Sequence, residues 1–506
     1  MKMLDAEQTR KADAYTIEHE PIASIDLMER ASVAFTNWFV RNFNPQQTVA
    51  IFCGTGNNGG DGLAVARLLL ERQYQVNVFV VSTSGRSSAD FDTNRSRLKG
   101  LTQIHEIRDV SDWQGVLNAG IVIDALFGSG LARPITGLYA DVIHKLNQSD
   151  ATRVSVDIAS GLYVDHHTDA GAIFEPHYTV SFQIPKLSCL LPQNDRYVGD
   201  WYVVDIGLNQ SFIEQQDTPY IWLDMAMIRR LFLPRSPRAR HSHKGTYGKA
   251  IIMAGSMGKM GAAALCAKAA LRTGLGLLTL HIPECGYQIM QSTVPEAMAS
   301  TDAGEAYISE VPDLAVYDAI GVGPGIDQQR QTVEMLERLL KRSDKPLVLD
   351  ADALNIIAAH RHLLEVVPSH SILTPHPKEF ERLVGSSKND FERLDLLQRF
   401  SDRYNLYVVL KGAYTAIATP DNQVFFNSTG NPGMATGGSG DVLTGTITSL
   451  LAQGYEPKDA ALFGVFLHGL SGDKALAEIG EEALIASDII DYIPAAFKEI
   501  KAANPT

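Results

Sequence analysis

Short β-branched runs alternate with helical stretches along nearly the whole chain, and this alternation restricts the fold more than any other feature. "TVAIFCG", "QVNVFVVS", "IVIDALFG", "RVSVDIASG" and "HYTVSFQI" read as strands, with "DGLAVARLLLERQ" and "LYADVIHKLNQ" helical between them. Ahead of them, Leu27, Met28, Ala31, Phe35, Trp38 and Phe39 recur at helical i, i+3, i+4 spacing. Strands separated by helices pair in parallel, because each crossover returns the chain to the same end of the sheet. The expectation is a doubly wound, mostly parallel α/β sheet with helices on both faces. Ligands of such sheets bind beyond the carboxyl ends of the strands, here where the loops after Cys53, Ala125 and Ile158 converge.

A chain of 506 residues is too long for one core. The alternation breaks at the polar stretch "NQSFIEQQDTP", followed by the Pro- and Arg-rich "LPRSPRARHSHKG", and a second series opens with "GKAIIMAGS". Two α/β domains are therefore expected, over residues 1–215 and 220–506, with no internal repeat relating them. A strand pair around Pro420 and Asp421 reads as a hairpin. The net charge of -14 argues against a nucleic-acid or anionic-membrane surface as partner. The four cysteines are scattered without a C-x-x-C pair, which speaks against a disulfide frame or a thiolate zinc site. "MKMLDAEQTRKADAYTIEHE" has no apolar signal core, and no run is long enough to span a bilayer. A cytoplasmic location is expected, with small molecules and further copies of the chain as partners.

"GTGNNGGDG", residues 54 to 62, joins the first strand to its helix and satisfies G-x-G-x-x-G through Gly54, Gly56 and Gly59. Ordinary NAD binding also needs an acid about twenty positions on to hold the ribose hydroxyls. The next strand ends in "VVSTSGR", which offers hydroxyls and Arg86 but no acid. Asp61, in the first turn of the helix, would compete with a pyrophosphate there. A Walker loop fails too, since Gly60-Asp61 stands where G-K-[ST] is needed. Glycines that only make a tight turn are the plain alternative. Two more loops weigh against it: "DALFGSGLARPITG" places Asp124 ahead of Gly128 and Gly130, and "SVDIASG" places Asp157 ahead of Ser160 and Gly161. Oxygen donors such as the Asn58 amide, the Asp124 carboxylate and the Ser160 hydroxyl suit a hard cation. No His or Cys cluster accompanies them, which speaks against zinc.

In the second domain, Gly437, Gly438 and Gly440 lead into the apolar run "VLTGTITSLL", so their amides should emerge at a helix N-terminus and stabilise anionic oxygens. Asp441 follows at once and can take a proton from an attacking hydroxyl. A flexible loop capped by Asp441 is the alternative. Lys411 in "KGAYT", His376 and Glu379 in "TPHPKEFERL", and Asp350, Asp352 and Asn355 in "DADALN" are further candidates. Taken singly, His376 reads as a structural histidine and the "DADALN" acids as solvated.

Together, "LMERA", "GTGNNGGDGLAVARLL", "DALFGSGL-RP", "VDIASG", "FQIPK" and "VVDIGL" resemble the NAD(P)H-hydrate epimerase domain over essentially all of residues 1 to 210. That family has a Rossmann-like fold and interconverts the two C6 epimers of hydrated NADH and NADPH. The resemblance implies a potassium site at Asn58, Asp124 and Ser160. It implies ligand contacts from Asn57, Asn58, Gly59, Gly60 and Asp61, and from Gly128, Ser129, Gly130, Leu131, Ala132, Arg133 and Pro134. Asp157 becomes the general base. Ala159 departs from the family's more usual proline.

From about residue 225 to 500, "HKGTYGKAIIMAGS", "GAAALCAKAALRTGLGLLTL", "VLDADALN", "LTPHPKEFERL" and "GGSGDVLTG" resemble the NAD(P)H-hydrate dehydratase of the ribokinase-like superfamily. This resemblance implies nucleotide-dependent dehydration of the S epimer, by phosphorylation of its hydroxyl and elimination of phosphate. The fused order resembles the bacterial bifunctional proteins, so ADP is the expected donor, giving AMP and phosphate, with Mg2+ on the nucleotide phosphates. Asp441 is then the base, with Lys411, Gly412, Ala413, Tyr414, Thr415 and Gly440 at the adenine nucleotide. Ala262, Gly325, His376 and Asp441 are implied near the hydrated nicotinamide nucleotide, and Glu379 as an indirect aid to the metal. The competing reading is a ribokinase-like kinase of a vitamin precursor or sugar, carrying a non-catalytic N-terminal binding domain. "GGSGD" serves such kinases equally, whereas Asn58, Asp124, Asp157 and Ser160 together disfavour a binding module.

Overall fold

The structure is a computed structural model that describes residues 1–83, 85–113, 119–235 and 238–502. Ser84 of "VVSTSGR", and Ser236 and Pro237 of the Pro- and Arg-rich stretch, lie outside the described residues. The chain divides into two compact units, Lys2–Thr218, and Pro219–Thr506 with Met1.

The N-terminal unit runs α1 (Ala6–His19), α2 (Ser24–Asn42), β1 (Thr48–Cys53), α3 (Asn57–Glu71), β2 (Gln75–Val81), α4 (Ala89–Arg97) and β3 (Ile104–Ile107). It continues through β4 (Ile121–Ala125), α5 (Leu138–Asn147), β5 (Thr152–Val156), β6 (Tyr178–Phe182), β7 (Asp200–Val204) and α6 (Gln210–Gln215). Among the described residues its seven strands form one sheet in the order β3-β2-β1-β4-β5-β6-β7, parallel throughout. The order reverses between β1 and β4, and at such a point the loops leave a crevice at the carboxyl edge. β1 shows why its sequence is continuously apolar. Val49, Ile51 and Cys53 enter one core with Phe35, Phe39, Leu63 and Leu69, while Ala50 and Phe52 enter another with Val142, Ile143 and Leu146. Both faces are covered by helices, as the parallel arrangement requires. The i, i+3, i+4 residues of α2 are buried as their spacing predicts.

Two helices and two strands in this unit carry no such pattern. α1 buries only Ala12 and Thr16 and is set by a capping box between Asp5 and Gln8. α4 buries only Phe91 and Asn94. β3 and β7 are the sheet edges, where half-exposed residues blur the apolar period.

The C-terminal unit begins with β8 (Tyr220–Leu223), α7 (Met225–Phe232), β9 (Lys249–Met253), α8 (Met260–Arg272), β10 (Leu277–Ile282), α9 (Tyr287–Thr293) and β11 (Met298–Thr301). Next come β12 (Ala319–Val322), α10 (Arg330–Arg342), β13 (Leu347–Leu349), α11 (Asp352–Ala359), β14 (Ile372–Leu373), α12 (Pro377–Val384), α13 (Asp390–Tyr404) and β15 (Tyr407–Leu410). β16 (Ala416–Ala418), β17 (Val424–Asn427), α14 (Ser439–Ala452), α15 (Pro457–Ile479) and α16 (Ala486–Lys501) complete it. Among the described residues ten strands form one sheet, β11-β10-β9-β12-β13-β14-β15-β16-β17-β8. Pairing is parallel except from β15 to β16 and from β16 to β17, the second being the expected hairpin around Pro420 and Asp421. α14 is buried over most of its length and approaches α8 closely; a Cβ on Gly445 would lie 2.0 Å from the Cys266 carbonyl oxygen. Both units are α/β, as the alternation predicts. Among the described residues no helix is long and apolar enough to cross a membrane.

Candidate active sites

In the N-terminal unit a cavity of about 830 Å³ is built around the strand-order reversal, within the size range of ligand pockets. Asn57, Asn58 and Asp61 from the first turn of α3 line it, with Gly128 to Arg133 after β4 and Asp157 after β5. Three of the loops singled out in the sequence thus meet at one edge. Their members are not equivalent. Gly59 and Gly60 are buried behind the wall, and Pro134 is exposed outside it, so none of the three lines the cavity.

Steric need explains the buried glycines. A Cβ would meet the Leu126 carbonyl oxygen at 2.1 Å from Gly54, the Gly54 carbonyl oxygen at 1.9 Å from Gly59, and Ala125 Cβ at 2.6 Å from Gly62. These residues let α3 press onto β1 and the loop after β4, while Gly56 and Gly130 have open space around them. The fingerprint therefore records helix–strand packing more than phosphate contact.

Asp157 holds a left-handed backbone, φ 69°, which costs a residue with a side chain of order 1–3 kcal/mol. Its position is held by the Ser181 hydroxyl, which donates to its carbonyl at 2.6 Å. Oδ1 accepts from Phe182 N at 3.1 Å and from Lys186 Nζ at 2.6 Å. Oδ2 has no hydrogen-bond partner among the described residues. That oxygen leaves Asp157, itself on the cavity wall, able to take a ligand proton.

Asp124 is fully buried at the end of β4. Oδ1 accepts from Ser160 Oγ at 2.6 Å, and Oδ2 from Ser160 N at 2.8 Å and Ser155 Oγ at 3.1 Å. Burial outweighs these bonds and pushes its carboxyl up to about 6. Asn58 packs against the loop after β4, since a Cβ on Gly128 would sit 3.3 Å from Asn58 Oδ1. Asn58 Nδ2 is buried without a hydrogen-bond partner. A half-turn of the amide puts its oxygen at that unpartnered position, where a cation would satisfy it. The three residues offer the oxygen donors that suit a hard cation.

In the C-terminal unit, Gly438 takes φ 92° as the N-cap of α14, and Asp441 follows as the third helical residue. Asp441 is pushed up to about 7, chiefly by burial and next by Asp350, with Lys411 opposing. Asp350 corrects the solvated reading of "DADALN". It is buried, with Lys411 Nζ donating to Oδ1 at 3.0 Å and Thr444 Oγ1 to Oδ2 at 2.7 Å. A Cβ on Gly440 would stand 3.4 Å from Lys411 Nζ, so glycine leaves the lysine room at the helix start. His468 is pushed down to about 4 by burial; its neutral ring donates through Nε2 to the Ser439 carbonyl at 3.0 Å and steadies the same turn.

The other expected contacts fall nearby or apart. Gly325 and Ala262 adjoin, a Cβ on Gly325 lying 3.2 Å from Ala262 Cβ. Gly412, Ala413, Tyr414 and Thr415 form the turn between β15 and β16, closed by Gly412 N donating to Thr415 Oγ1 at 3.3 Å. His376 caps α12: its Nδ1 accepts from Lys378 N and Glu379 N, and Glu379 Oε2 accepts from His376 N at 2.8 Å. The same Glu379 oxygen lies 4.0 Å from Lys411 Nζ. Among the described residues no group of three His, Cys, Asp or Glu could hold a metal ion.

The model of the YjeF-related protein N-terminus matches residues 24–188, and that of the NAD(P)H-hydrate dehydratase matches residues 250–495. The bifunctional NAD(P)H-hydrate repair enzyme Nnr of Moorella thermoacetica is 37% identical, over 99% of this chain and 97% of its own length. That of Thermofilum pendens is 34% identical, over 99% and 95%. This chain belongs to the bifunctional NAD(P)H-hydrate repair enzymes. It is also similar to the ADP/ATP-dependent NAD(P)H-hydrate dehydratase of Bacillus subtilis co-crystallized with ATP/Mg2+, at 31% identity and TM-score 0.49, covering 56% of this chain and 99% of that one.

Sequence reasoning on this repair enzyme passed over Lys186, Asp13 and His468. Lys186 stands in "FQIPK", a stretch noted only as part of a motif. Asp13 lines the N-terminal cavity from α1, and its signal is an acid one place after the buried Ala12. His468 lies mid-helix in α15 with nothing local to mark it.

Proposed function

We propose that residues 1–215 epimerise R- and S-NAD(P)H hydrates, and that residues 220–506 dehydrate the S epimer to NAD(P)H with ADP as phosphoryl donor. The observation that carries this reading is a pair of carboxylates, Asp157 and Asp441. Asp157 follows a strand of a parallel sheet and pairs with Lys186 at 2.6 Å, and Asp441 lies in the first turn of α14 with Lys411 among the charges that act on it.

In the N-terminal unit Asp157 acts as general base through its unpartnered Oδ2. Asn57, Asp61 and Gly128 to Arg133 hold the hydrated nucleotide along the cavity wall. Asn58, Asp124 and Ser160 would hold K+, which supplies a fixed positive charge to orient the ligand. In the C-terminal unit Asp441 takes the proton of the C6 hydroxyl, whose oxygen attacks the β-phosphoryl group of ADP as AMP departs. Elimination of phosphate from C6 with loss of a C5 proton then restores the ring double bond. The amides of Gly437 to Gly440 and the Lys411 ammonium hold phosphate oxygens, and Gly412 to Thr415 flank the adenine nucleotide. Ala262, Gly325 and His376 border the nicotinamide portion. Mg2+ on the nucleotide would neutralise charge developing on its phosphates, with Glu379 nearby. Small molecules and further copies of the chain are the partners on this reading.

The test supplies purified single epimers with and without ADP. Without ADP the epimers should interconvert faster than in buffer alone; with ADP both should yield NAD(P)H. Accumulation of a stable phosphorylated product would favour a kinase. Interconversion no faster than in buffer would reduce the N-terminal unit to a binding module.

A further inference from the structure

The N-terminal cavity holds a carboxylate on α1, Asp13, that the reading above leaves without a task. Asp13 projects from α1 into the wall that Asp157 and Asp61 also line. It is half-buried, and among the described residues it makes no hydrogen bond or ion pair. A carboxyl that loses part of its hydration and gains no protein partner costs free energy. An unpartnered carboxyl on a cavity wall points to a ligand. The charged groups around it are Arg10 on α1, Asp61 on α3, Asp90 before the α4 helix is one turn old, Arg133 after β4, and Asp157 with its partner Lys186.

We infer that Asp13 is the second proton-transfer residue of the epimerisation, acting as the acid when Asp157 acts as the base. The inference rests on the N-terminal unit being the epimerase. The inverted carbon, C6, carries both a hydroxyl and the ring nitrogen N1, so it can invert without oxidant or reductant. A base takes the hydroxyl proton and C6–O becomes a carbonyl while the C6–N1 bond breaks. The electron pair of that bond goes to N1, which takes a proton from an acid. Rotation about C5–C6 presents the other carbonyl face. N1 then re-forms its bond to C6, returning its proton as the carbonyl oxygen regains one. Protons thus move at two separate atoms, O and N1, and two groups of opposite protonation serve them best.

The two carboxyls are in different states. Asp157 is half of a buried ion pair with Lys186. Asp13 is pushed up to about 7, first by burial and then by the charge of Asp157, with Lys186 opposing. Near neutral pH it therefore keeps a proton to give.

The experiment uses the full chain, the single R epimer and excess ADP, following NADH above the buffer rate from pH 5.5 to 9. In the wild type, epimerisation should fall as pH rises past about 7, where Asp13 loses its proton. Asp13→Asn should lower its kcat ~100-fold or more, leave KM within a few-fold and remove the high-pH fall. Asp13→Glu should recover part of the rate and move that fall along the pH axis. Thermal unfolding of the N-terminal unit reports that each variant is folded there, and dehydration supplied directly with the S epimer reports that the coupled step is intact. An Asp13→Asn rate within a few-fold of wild type, or an Asp13→Glu variant as inactive as the asparagine, would overturn the inference. The wild type and Asp157→Asn distinguish the two levels: if the wild type interconverts the epimers no faster than buffer, the epimerase reading falls and takes this inference with it, and a fully active Asp157→Asn removes the acid–base pairing alone. If Asp157→Asn is inactive while Asp13→Asn works normally, the inference alone falls.

Discussion

Lys186 Nζ lies 2.6 Å from Asp157 Oδ1, with both side chains almost shut off from water. Such a pair is costly to break from one side, because the surviving charge keeps its burial and loses its compensation. Asp157→Asn should remove epimerisation by ~100- to 10,000-fold while dehydration of the S epimer persists, read from single-epimer assays.

Lys186→Met should destabilise the fold, since it leaves the Asp157 carboxylate buried without its cation. An unpaired buried carboxylate costs about 3–5 kcal/mol, so thermal unfolding at pH 8 should occur well below wild type. Lowering the pH protonates that carboxylate and should narrow the deficit. Combining Lys186→Met with Asp157→Asn should recover much of it. A deficit independent of pH would mean that Lys186 contributes through its packing alone.

Asp441 is pushed up to about 7, so the folded protein binds a proton there that the unfolded chain releases near 4. The sign is unusual for a carboxylate. Its ionisation destabilises the fold as pH rises from about 4 to 7 and by a constant amount above that. Asp441→Asn should therefore raise the unfolding temperature of the ligand-free chain at pH 8, with the gain shrinking toward pH 4. The same variant should lose ~100-fold or more in ADP-dependent turnover with little change in nucleotide affinity. In the wild type, turnover should fall as pH drops below about 7, because the base must be ionised.

Asp350 both holds Lys411, at 3.0 Å, and stands first after burial among the influences raising Asp441. Asp350→Asn should weaken nucleotide binding by loosening Lys411, measured by calorimetry. It should also move the low-pH limb of turnover to lower pH, since one repelling charge is gone. An unmoved limb would show that Asp441 does not sense Asp350.

Gly59 and Gly130 separate packing from ligand contact. In Gly59→Ala the new Cβ would fall 1.9 Å from the Gly54 carbonyl oxygen, whereas at Gly130 nothing lies within 4 Å. Gly59→Ala should cost ~1–3 kcal/mol or more, seen as earlier unfolding of the N-terminal unit. Gly130→Ala should leave unfolding unchanged and raise the KM for the hydrate. Equal unfolding temperatures for the two would contradict the packing account.

Local pattern carried the fold a long way. The apolar run of β1 and the stripe of α2 were legible because two-sided burial and helical period write themselves into neighbouring residues. Edge strands β3 and β7, and the polar helices α1 and α4, were not, because little of their surface is buried. At the sites, Asp441 was legible for the same local reason: a glycine run before an apolar helix places it within one turn of the helix start.

By itself, then, the sequence determined two α/β series, the strand-end position of Asp124 and Asp157, and the helix-start position of Asp441. Only the tertiary structure decided what surrounds them. Lys186 meets Asp157 from the segment after β6, Asp13 reaches the same cavity from α1, and Asp350 meets Lys411 from the loop after β13. It also decided that Gly54 serves packing, because the obstructing Leu126 carbonyl oxygen belongs to the loop after β4. Period and capping act between neighbours in the chain, whereas charge pairing, desolvation and steric exclusion act through space, between segments whose meeting no local pattern encodes.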